Sequence, residues 1–156
     1  MAYLVRRATP ADAATVARHR VEMFRDMGIL AAAHAPLDVA SRRALGQGLA
    51  DGSYRGWLVE EAGTVVAGGG LVLRPLLPRP GHADGGVEAY VLNVYTDPPH
   101  RRRGLARRLM DEILAWCDAE GVQRVSLHAS DDGRGLYESL GFESTNEMRR
   151  DLPRVP

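Results

Sequence analysis

Residues 94–106 read Val-Tyr-Thr-Asp-Pro-Pro-His-Arg-Arg-Arg-Gly-Leu-Ala, and this stretch decides the fold. It starts as the end of an apolar strand, passes through a turn with two prolines and enters a helix near Gly104. The N–H groups of a first helical turn have no partner inside the helix, and the helix start carries a partial positive charge. Together these features bind phosphate groups. The stretch therefore predicts an anion site where a strand meets a helix.

The side chains around Gly104 favour the same anion site. Gly104 has no Cβ, so the backbone can approach a ligand closely, and Ala106 is nearly as small. Arg101, Arg102 and Arg103 place three positive charges where they oppose the helix dipole. A solvated helix end is the alternative, but an anionic ligand resolves this conflict better. A P-loop and a Rossmann fingerprint are excluded, because neither glycine pattern is present.

The composition is typical of one soluble globular domain, residues 1–156, of which 45% are apolar. Twenty basic residues balance twenty acidic ones, so no net charge favours nucleic acid or an anionic membrane. The one cysteine, Cys117, excludes an intramolecular disulfide and fits a reducing compartment. We find no signal peptide and no apolar run of about 18 residues, and therefore expect a cytoplasmic protein.

Periodicity along the chain predicts the element order β-α-α-β-β-β-α-β-α-β. Helices alternate with strands only in the second half, which indicates an α/β (α+β) protein with a mixed sheet. The predicted strands cover residues 3–6, 57–60, 64–73, 87–95, 125–128 and 142–149. The predicted helices cover residues 9–28, 37–49, 105–117 and 135–140.

Three sequence blocks resemble a known family. Arg101-Arg102-Arg103-Gly104-Leu105-Ala106 matches the Arg/Gln-x-x-Gly-x-Gly/Ala signature of the GCN5-related N-acetyltransferase (GNAT) superfamily. The strand before it, residues 91–96, is similar to that family's fourth strand, and residues 135–142 are similar to its late Tyr-x-x-x-Gly-Phe motif. The resemblance implies a mixed sheet of six to seven strands flanked by about four helices, with the fourth and fifth strands splayed apart.

The same resemblance implies that acetyl-CoA is the donor. The pantetheine arm would lie between the splayed strands on main-chain groups of Val94 and Thr96, and an N–H near Val94 or Tyr95 would polarise the thioester carbonyl. The N–H groups of residues 102–107 would hold the pyrophosphate. Tyr137 would protonate the departing thiolate. Position 130, often Asn in this family, is serine, which still forms hydrogen bonds. The implied donor-binding residues are Val94, Tyr95, Thr96, Arg101, Arg102, Arg103, Gly104, Leu105, Ala106, Arg107 and Ser130.

Glu88 is our candidate for the base that takes the amine proton, directly or through a water. Residues 88, 90, 92 and 94 should share one strand face, so Tyr90 can relay a proton or simply pack. A solvated carboxylate is the alternative interpretation for Glu88. No Cys/His cluster has metal-ligand spacing, and we expect no metal. The acceptor site is expected on the first two helices, their connection and the long proline loop near residues 75–86, with the candidates Glu22, Met23, Phe24, Met27, Ile29, Leu30 and His34.

These observations predict an N-acetyltransferase that acts on a primary amine of a small molecule or a peptide. The alternative is a non-catalytic acyl-CoA sensor or regulatory domain, although such a domain would need no acid at Tyr137. The expected partners are acetyl-CoA and an amine, without nucleic acid or membrane, and a homodimer is compatible with the resemblance.

Overall fold

Five strands and four α-helices lie along residues 2–30 and 35–153, the part of the chain that the computed structural model describes. Short 3-10 turns precede the first and third helices. In chain order the elements are β1 (Tyr3–Arg7), α1 (Ala13–Asp26), α2 (Ala35–Asp51), β2 (Tyr54–Glu61), β3 (Thr64–Leu76), β4 (Gly86–Thr96), α3 (Leu105–Ala119), β5 (Arg124–Leu127) and α4 (Asp131–Ser139).

The strands form one mixed sheet, as the sequence predicts. Their order is β1-β2-β3-β4-β5; the first four run antiparallel, and β5 runs parallel to β4. Only the first part of β4, residues 88–91, pairs with β5. Residues 92–96 of β4 therefore have no strand partner on that side within the described residues. The expected splay of the fourth and fifth strands is confirmed in this form.

The predicted strand at residues 142–149 is wrong, so the described sheet has five strands instead of six to seven. These residues have no regular structure and are mostly exposed. The segment offers the sheet only two large apolar side chains, Phe142 and Met148. Phe142 packs on Tyr137, whereas Met148 is 94% exposed. A strand that buries so little apolar surface gains little from joining the sheet.

The last helix begins earlier than the periodicity predicts, at Asp131 instead of residue 135. Its start is fixed by Ser130, whose Oγ accepts a hydrogen bond from the Gly133 N–H at 3.1 Å. Asp131 and Asp132 in the first turn complement the helix dipole. Capping chemistry therefore outweighs the two glycines that favoured a later start.

Helices cover the sheet on both faces. On one face α3 buries Leu109, Met110 and Ile113 completely against β3 and β4. On the other face α1 and α2 pack Val16 and Leu45 against β2 in a second cluster. The two clusters cover the middle of the sheet on its two faces. The splayed end of β4 lies at the border of this packed core.

A histidine side chain is buried inside this core. His19 of α1 is 1% exposed and lies against the Tyr95 ring with centroids 5.2 Å apart. Its Nε2 has no hydrogen-bond partner in the described part of the chain. Burial lowers the pKa of His19 to about 4. The imidazole is therefore neutral in the folded protein at neutral pH.

Buried His19 predicts a pH dependence of stability. An unfolded histidine binds a proton below pH about 6.5, whereas folded His19 does so only near pH 4. Between these values the unfolded state holds the extra proton, so the free energy of unfolding falls as pH falls, by about 1.4 kcal/mol per pH unit. Urea denaturation between pH 6.5 and 4.5 measures this slope. His19→Phe keeps a ring against Tyr95 and should remove most of the slope; an unchanged slope in that variant would assign the effect to other groups.

Candidate active site

A β-bulge shapes the open half of β4. Gly70 of β3 faces Leu92 and Gly68 faces Tyr95, so β4 carries one residue more than β3 in this interval. Asn93 absorbs the extra residue with a left-handed φ of 60°. The bulge reverses the alternation of side chains beyond it.

This reversal corrects the expected face pattern of β4. Leu92 packs with the α1 and α2 cluster, whereas Val94 packs with the α3 cluster on the opposite face. Residues 88, 90 and 92 therefore share a face, but Val94 does not. Strict alternation fails here because the chain inserts one residue at Asn93.

The main-chain groups of Val94 and Thr96 face the opening between β4 and β5. The Asp97 N–H donates to the Val66 carbonyl of β3 at 2.8 Å, and peptide groups alternate in direction along a strand. Tyr95 therefore faces β3, whereas Val94 and Thr96 face away from it. In agreement, the Thr96 carbonyl accepts a hydrogen bond from Arg101 Nε at 2.9 Å on the outer side.

The turn after β4 presents a row of backbone N–H groups. Arg102 and Gly104 have positive φ values of 61° and 76°, and α3 begins directly afterwards. The first helical hydrogen bond runs from the Arg108 N–H to the Gly104 carbonyl at 3.1 Å. Within the described chain, the N–H groups of residues 102–107 have no backbone acceptor. Two left-handed residues beside a helix start form a concave site suited to an anion.

The arginine side chains around this turn differ in their surroundings. Arg101 forms an ion pair with Asp26 at 2.5 Å, Arg103 donates to the Tyr3 hydroxyl at 3.0 Å, and Arg107 donates to Ser139 Oγ at 2.6 Å. The guanidinium of Arg102 is exposed and has no partner among the described residues. Of these four arginines, Arg102 is thus the one whose charge is most available to a ligand. The side chains of Arg101, Arg103 and Arg107 also hold the turn in place.

Tyr137 lies on α4 with its ring packed against Phe142, the centroids 5.9 Å apart. Burial raises the pKa of its phenol, so the hydroxyl stays protonated at neutral pH. The hydroxyl has no hydrogen-bond partner within the described chain. At the start of the same helix, the Ser130 hydroxyl accepts from Gly133 and keeps its own proton to donate.

Glu88 belongs to a polar cluster on the open part of the α1 face of the sheet. It accepts a hydrogen bond from the Ser126 hydroxyl of β5. The neighbouring Tyr90 hydroxyl is hydrogen-bonded to His128 Nδ1, and Arg149 Nη1 lies 3.3 Å from His128 Nε2. Arginine can only donate, so Nε2 accepts and Nδ1 carries the proton.

Glu88 lies far along β4 from Val94, beside which the thioester is expected. Six residue steps of extended strand separate Glu88 from Val94 and span about 20 Å. A direct contact between Glu88 and an amine beside Val94 would need a few ångströms only. Tyr90 lies between the two positions on the face of Glu88.

The expected acceptor residues lie on and after α1. Met27 is 47% and Ile29 is 70% exposed, and Glu22 is bonded to Arg25 at 2.5 Å. His34 lies outside the described residues. Within residues 2–30 and 35–153 no three His, Cys, Asp or Glu side chains are grouped to hold a metal ion. Over the same ranges no helix has the length and apolar character needed to span a membrane.

Sequence reasoning missed three polar residues beside the bulge: Arg20, Tyr54 and Asn93. Asn93 is 2% exposed and bonds to both of the others. A signal was present, because Asn interrupts the apolar run of residues 91–95, and asparagine is enriched in left-handed backbone. Neither Arg20 nor Tyr54 has such a signal, since their contact with Asn93 is long-range.

Comparison with known proteins identifies the family to which this arrangement belongs. The family model of the acetyltransferase (GNAT) family matches residues 19–142. A GCN5-related N-acetyltransferase from Ralstonia eutropha JMP134 superposes with a TM-score of 0.89 at 37% identity, covering 97% of this chain and 99% of that one. A predicted acetyltransferase from Clostridium acetobutylicum, solved with acetyl-CoA, superposes with a TM-score of 0.86 at 24% identity, covering 97% and 96%.

Among curated relatives, glucosamine 6-phosphate N-acetyltransferase of Trypanosoma brucei brucei is 31% identical over 94 residues, which are 60% of this chain and 61% of that protein. The ribosomal protein bS18-alanine N-acetyltransferase of Escherichia coli K12 is 32% identical over 69 residues, covering 42% and 47%. The chain thus spans about half to three fifths of these relatives. The family match extends over most of the chain and includes the bulged strand, the arginine-glycine turn and α3. The chain belongs to the acetyltransferase (GNAT) family.

Proposed function

We propose that this chain transfers an acetyl group from acetyl-CoA to a primary amine, carried by a small molecule or a peptide, by direct attack of the amine on the thioester. One observation carries the proposal. Within the described residues, the edge of β4 from Val94 to Thr96 has no strand partner, and it leads directly into the N–H groups of residues 102–107. A single ligand with a long amide-containing arm and a pyrophosphate matches that sequence of donors and acceptors.

Each part of the donor has matching groups in this arrangement. The peptide groups of Val94 and Thr96 point into the opening, where an extended arm can pair with them as a further strand would. The N–H groups of residues 102–107, with Arg101, Arg102, Arg103 and Arg107 around them, suit a pyrophosphate. Ser130 at the far side retains a proton for the arm. The acetyl-CoA found in the Clostridium acetobutylicum structure of the same fold supports this choice.

The chemistry follows from groups that the chain already orients. The Val94 N–H, which faces the opening, stabilises the negative charge that develops on the thioester oxygen as the amine attacks. Tyr95 is less suited, because its N–H faces β3. Tyr137 then donates its phenolic proton to the departing sulfur, and burial keeps that proton in place until it is needed.

Glu88 takes the amine proton through a relay in this proposal. Glu88 and Val94 lie about 20 Å apart along β4, and Tyr90 lies between them on the face of Glu88. Glu88→Gln and Tyr90→Phe should then lower turnover to a similar extent and should not act additively in the double variant. Additive losses would assign the two side chains independent roles.

The remaining expectations accompany this proposal. We propose a single domain, residues 1–156, that works in the cytoplasm and forms a homodimer, with no nucleic-acid or membrane partner. The lone thiol of Cys117 is 2% exposed, and burial raises its pKa to about 11, which keeps it unreactive.

An amine panel tests the proposed function. The purified chain is incubated with acetyl-CoA and amines of several classes, namely amino acids, aminosugars, polyamines and peptide N-termini. Release of CoA thiol and the mass of the acetylated product are measured together. We expect amine-dependent release with at least one class. Tight acetyl-CoA binding without turnover across the panel would contradict the enzyme and favour the sensor alternative.

A further inference from the structure

Three polar side chains from three elements meet at the bulge in β4. Asn93 Oδ1 accepts a hydrogen bond from Arg20 Nη1 of α1 at 2.7 Å. Asn93 Nδ2 donates to the hydroxyl of Tyr54 in β2 at 3.3 Å. The Arg20 guanidinium also stacks on Phe24, 4.7 Å from the ring centroid. Both hydrogen bonds join side chains, so neither belongs to the backbone hydrogen bonding of the sheet or the helices.

The bridged position is also the one with left-handed backbone. At a φ of 60° a residue with a Cβ is disfavoured, and asparagine tolerates this region better than most. Such a conformation persists when surrounding groups over-determine it. The two hydrogen bonds fix the Asn93 side chain from opposite sides, and they therefore fix the bulge.

β3, which lies between β2 and β4, leaves space for the Tyr54 side chain at Gly70. A Cβ at Gly70 would lie 2.2 Å from the Tyr54 hydroxyl oxygen and 2.6 Å from the Arg55 carbonyl oxygen. Tyr54 is 4% exposed, and burial raises its pKa to about 12, so the hydroxyl remains protonated. Among the described residues Arg20 has no carboxylate partner, and Glu22 and Asp26 of the same helix bond to other arginines. Its guanidinium is therefore directed to Asn93.

We propose that Arg20, Asn93 and Tyr54 are positioning residues that hold the bulge and thereby aim the Val94 N–H at the thioester carbonyl. The inference rests on the proposed function, in which Val94 supplies that N–H. Asn93 bonds on the α1 side of the sheet, whereas the Val94 N–H faces the β4–β5 opening, so the three side chains act through the backbone. An oxyanion donor works only when it is aligned in advance. Loss of the bridge should therefore lower kcat and leave the binding of acetyl-CoA nearly unchanged.

Substitutions at Asn93 separate the side chain from the backbone conformation. Asn93→Gly keeps the left-handed φ accessible and removes both hydrogen bonds. We expect kcat to fall about 10- to 100-fold, with the KM for acetyl-CoA changed by less than about threefold. Asn93→Asp keeps an acceptor for Arg20 and can accept from the Tyr54 hydroxyl, so kcat should stay within about threefold of the native value.

Val16→Ala is the control for general destabilisation. Val16 belongs to the same apolar cluster as Tyr54, is 3% exposed and forms no side-chain hydrogen bond. The substitution should lower the melting temperature without lowering kcat. A native kcat in Asn93→Gly, an equal kcat loss in Val16→Ala, or a failure of Asn93→Asp to retain kcat would each overturn the inference.

A second measurement does not depend on turnover. In ¹⁵N–¹H spectra of the ligand-free protein, the Val94 amide resonance should move in Tyr54→Phe, which removes the hydroxyl that accepts from Asn93, and stay in place in Val16→Ala. If that shift occurs but no amine is acetylated, the proposed function fails while the bridge still sets the bulge. If the Val94 resonance is unchanged in Tyr54→Phe, the bridge does not position it, and the inference fails whatever the amine panel shows.

Discussion

Tyr137→Phe should lower kcat about 100-fold or more while the affinity for acetyl-CoA stays nearly unchanged. The substitution removes the hydroxyl and keeps the ring that packs on Phe142. General acids of this kind contribute about 10²- to 10⁴-fold to rate, because a thiolate without a proton donor is harder to expel. The melting temperature should change little, since the hydroxyl has no partner within the described chain.

The measurement compares steady-state kcat with acetyl-CoA affinity from calorimetry for the native chain and the variant. Single-turnover kinetics must accompany it, because slow product release would hide a loss in the chemical step. A variant with native kcat, under conditions where chemistry limits turnover, would contradict the acid role of Tyr137. A variant that loses affinity and kcat equally would assign Tyr137 to donor binding.

Gly104→Val should weaken acetyl-CoA binding about 10- to 100-fold. The valine side chain would occupy the space through which the pyrophosphate approaches the N–H groups of residues 102–107. Losing one charge-assisted hydrogen bond, at about 1.5–3 kcal/mol, accounts for that factor. Gly104 also has a φ of 76°, so a β-branched residue strains the turn and should lower the melting temperature.

Gly121→Val is the matched control for this strain. Gly121 ends α3 at a φ of 72°, and a Cβ at either glycine meets no atom within 4 Å. The two variants should therefore lose similar stability, while only Gly104→Val loses affinity. Equal acetyl-CoA affinities in the two variants would contradict the phosphate site at the start of α3.

Local signals were enough to predict the turn and most of the elements. The arginine-glycine turn, the strand before it and the helix after it follow from residues within one short stretch. The hairpin between β2 and β3 was equally local, with Ala62 and Gly63 both at positive φ. Mixed strand directions followed from the order of the elements.

Long-range contacts account for what the sequence could not predict. The bulge at Asn93 depends on Arg20 and Tyr54, which lie 73 and 39 positions away. Because strict alternation was assumed, Val94 was expected on the face of Glu88. The predicted last strand failed for a different reason: its apolar content, Phe142 and Met148, is too small to join the sheet.

Amide chemical shifts during an acetyl-CoA titration test the central claim most directly. In ¹⁵N–¹H spectra of the native chain, we predict the largest shifts at Val94, Thr96 and residues 102–107, with smaller ones at Ser130 and Tyr137. These are the groups that line the β4 edge and the start of α3. Saturable binding with the largest shifts elsewhere in the chain, or no binding at millimolar acetyl-CoA, would contradict the donor site proposed for this family member.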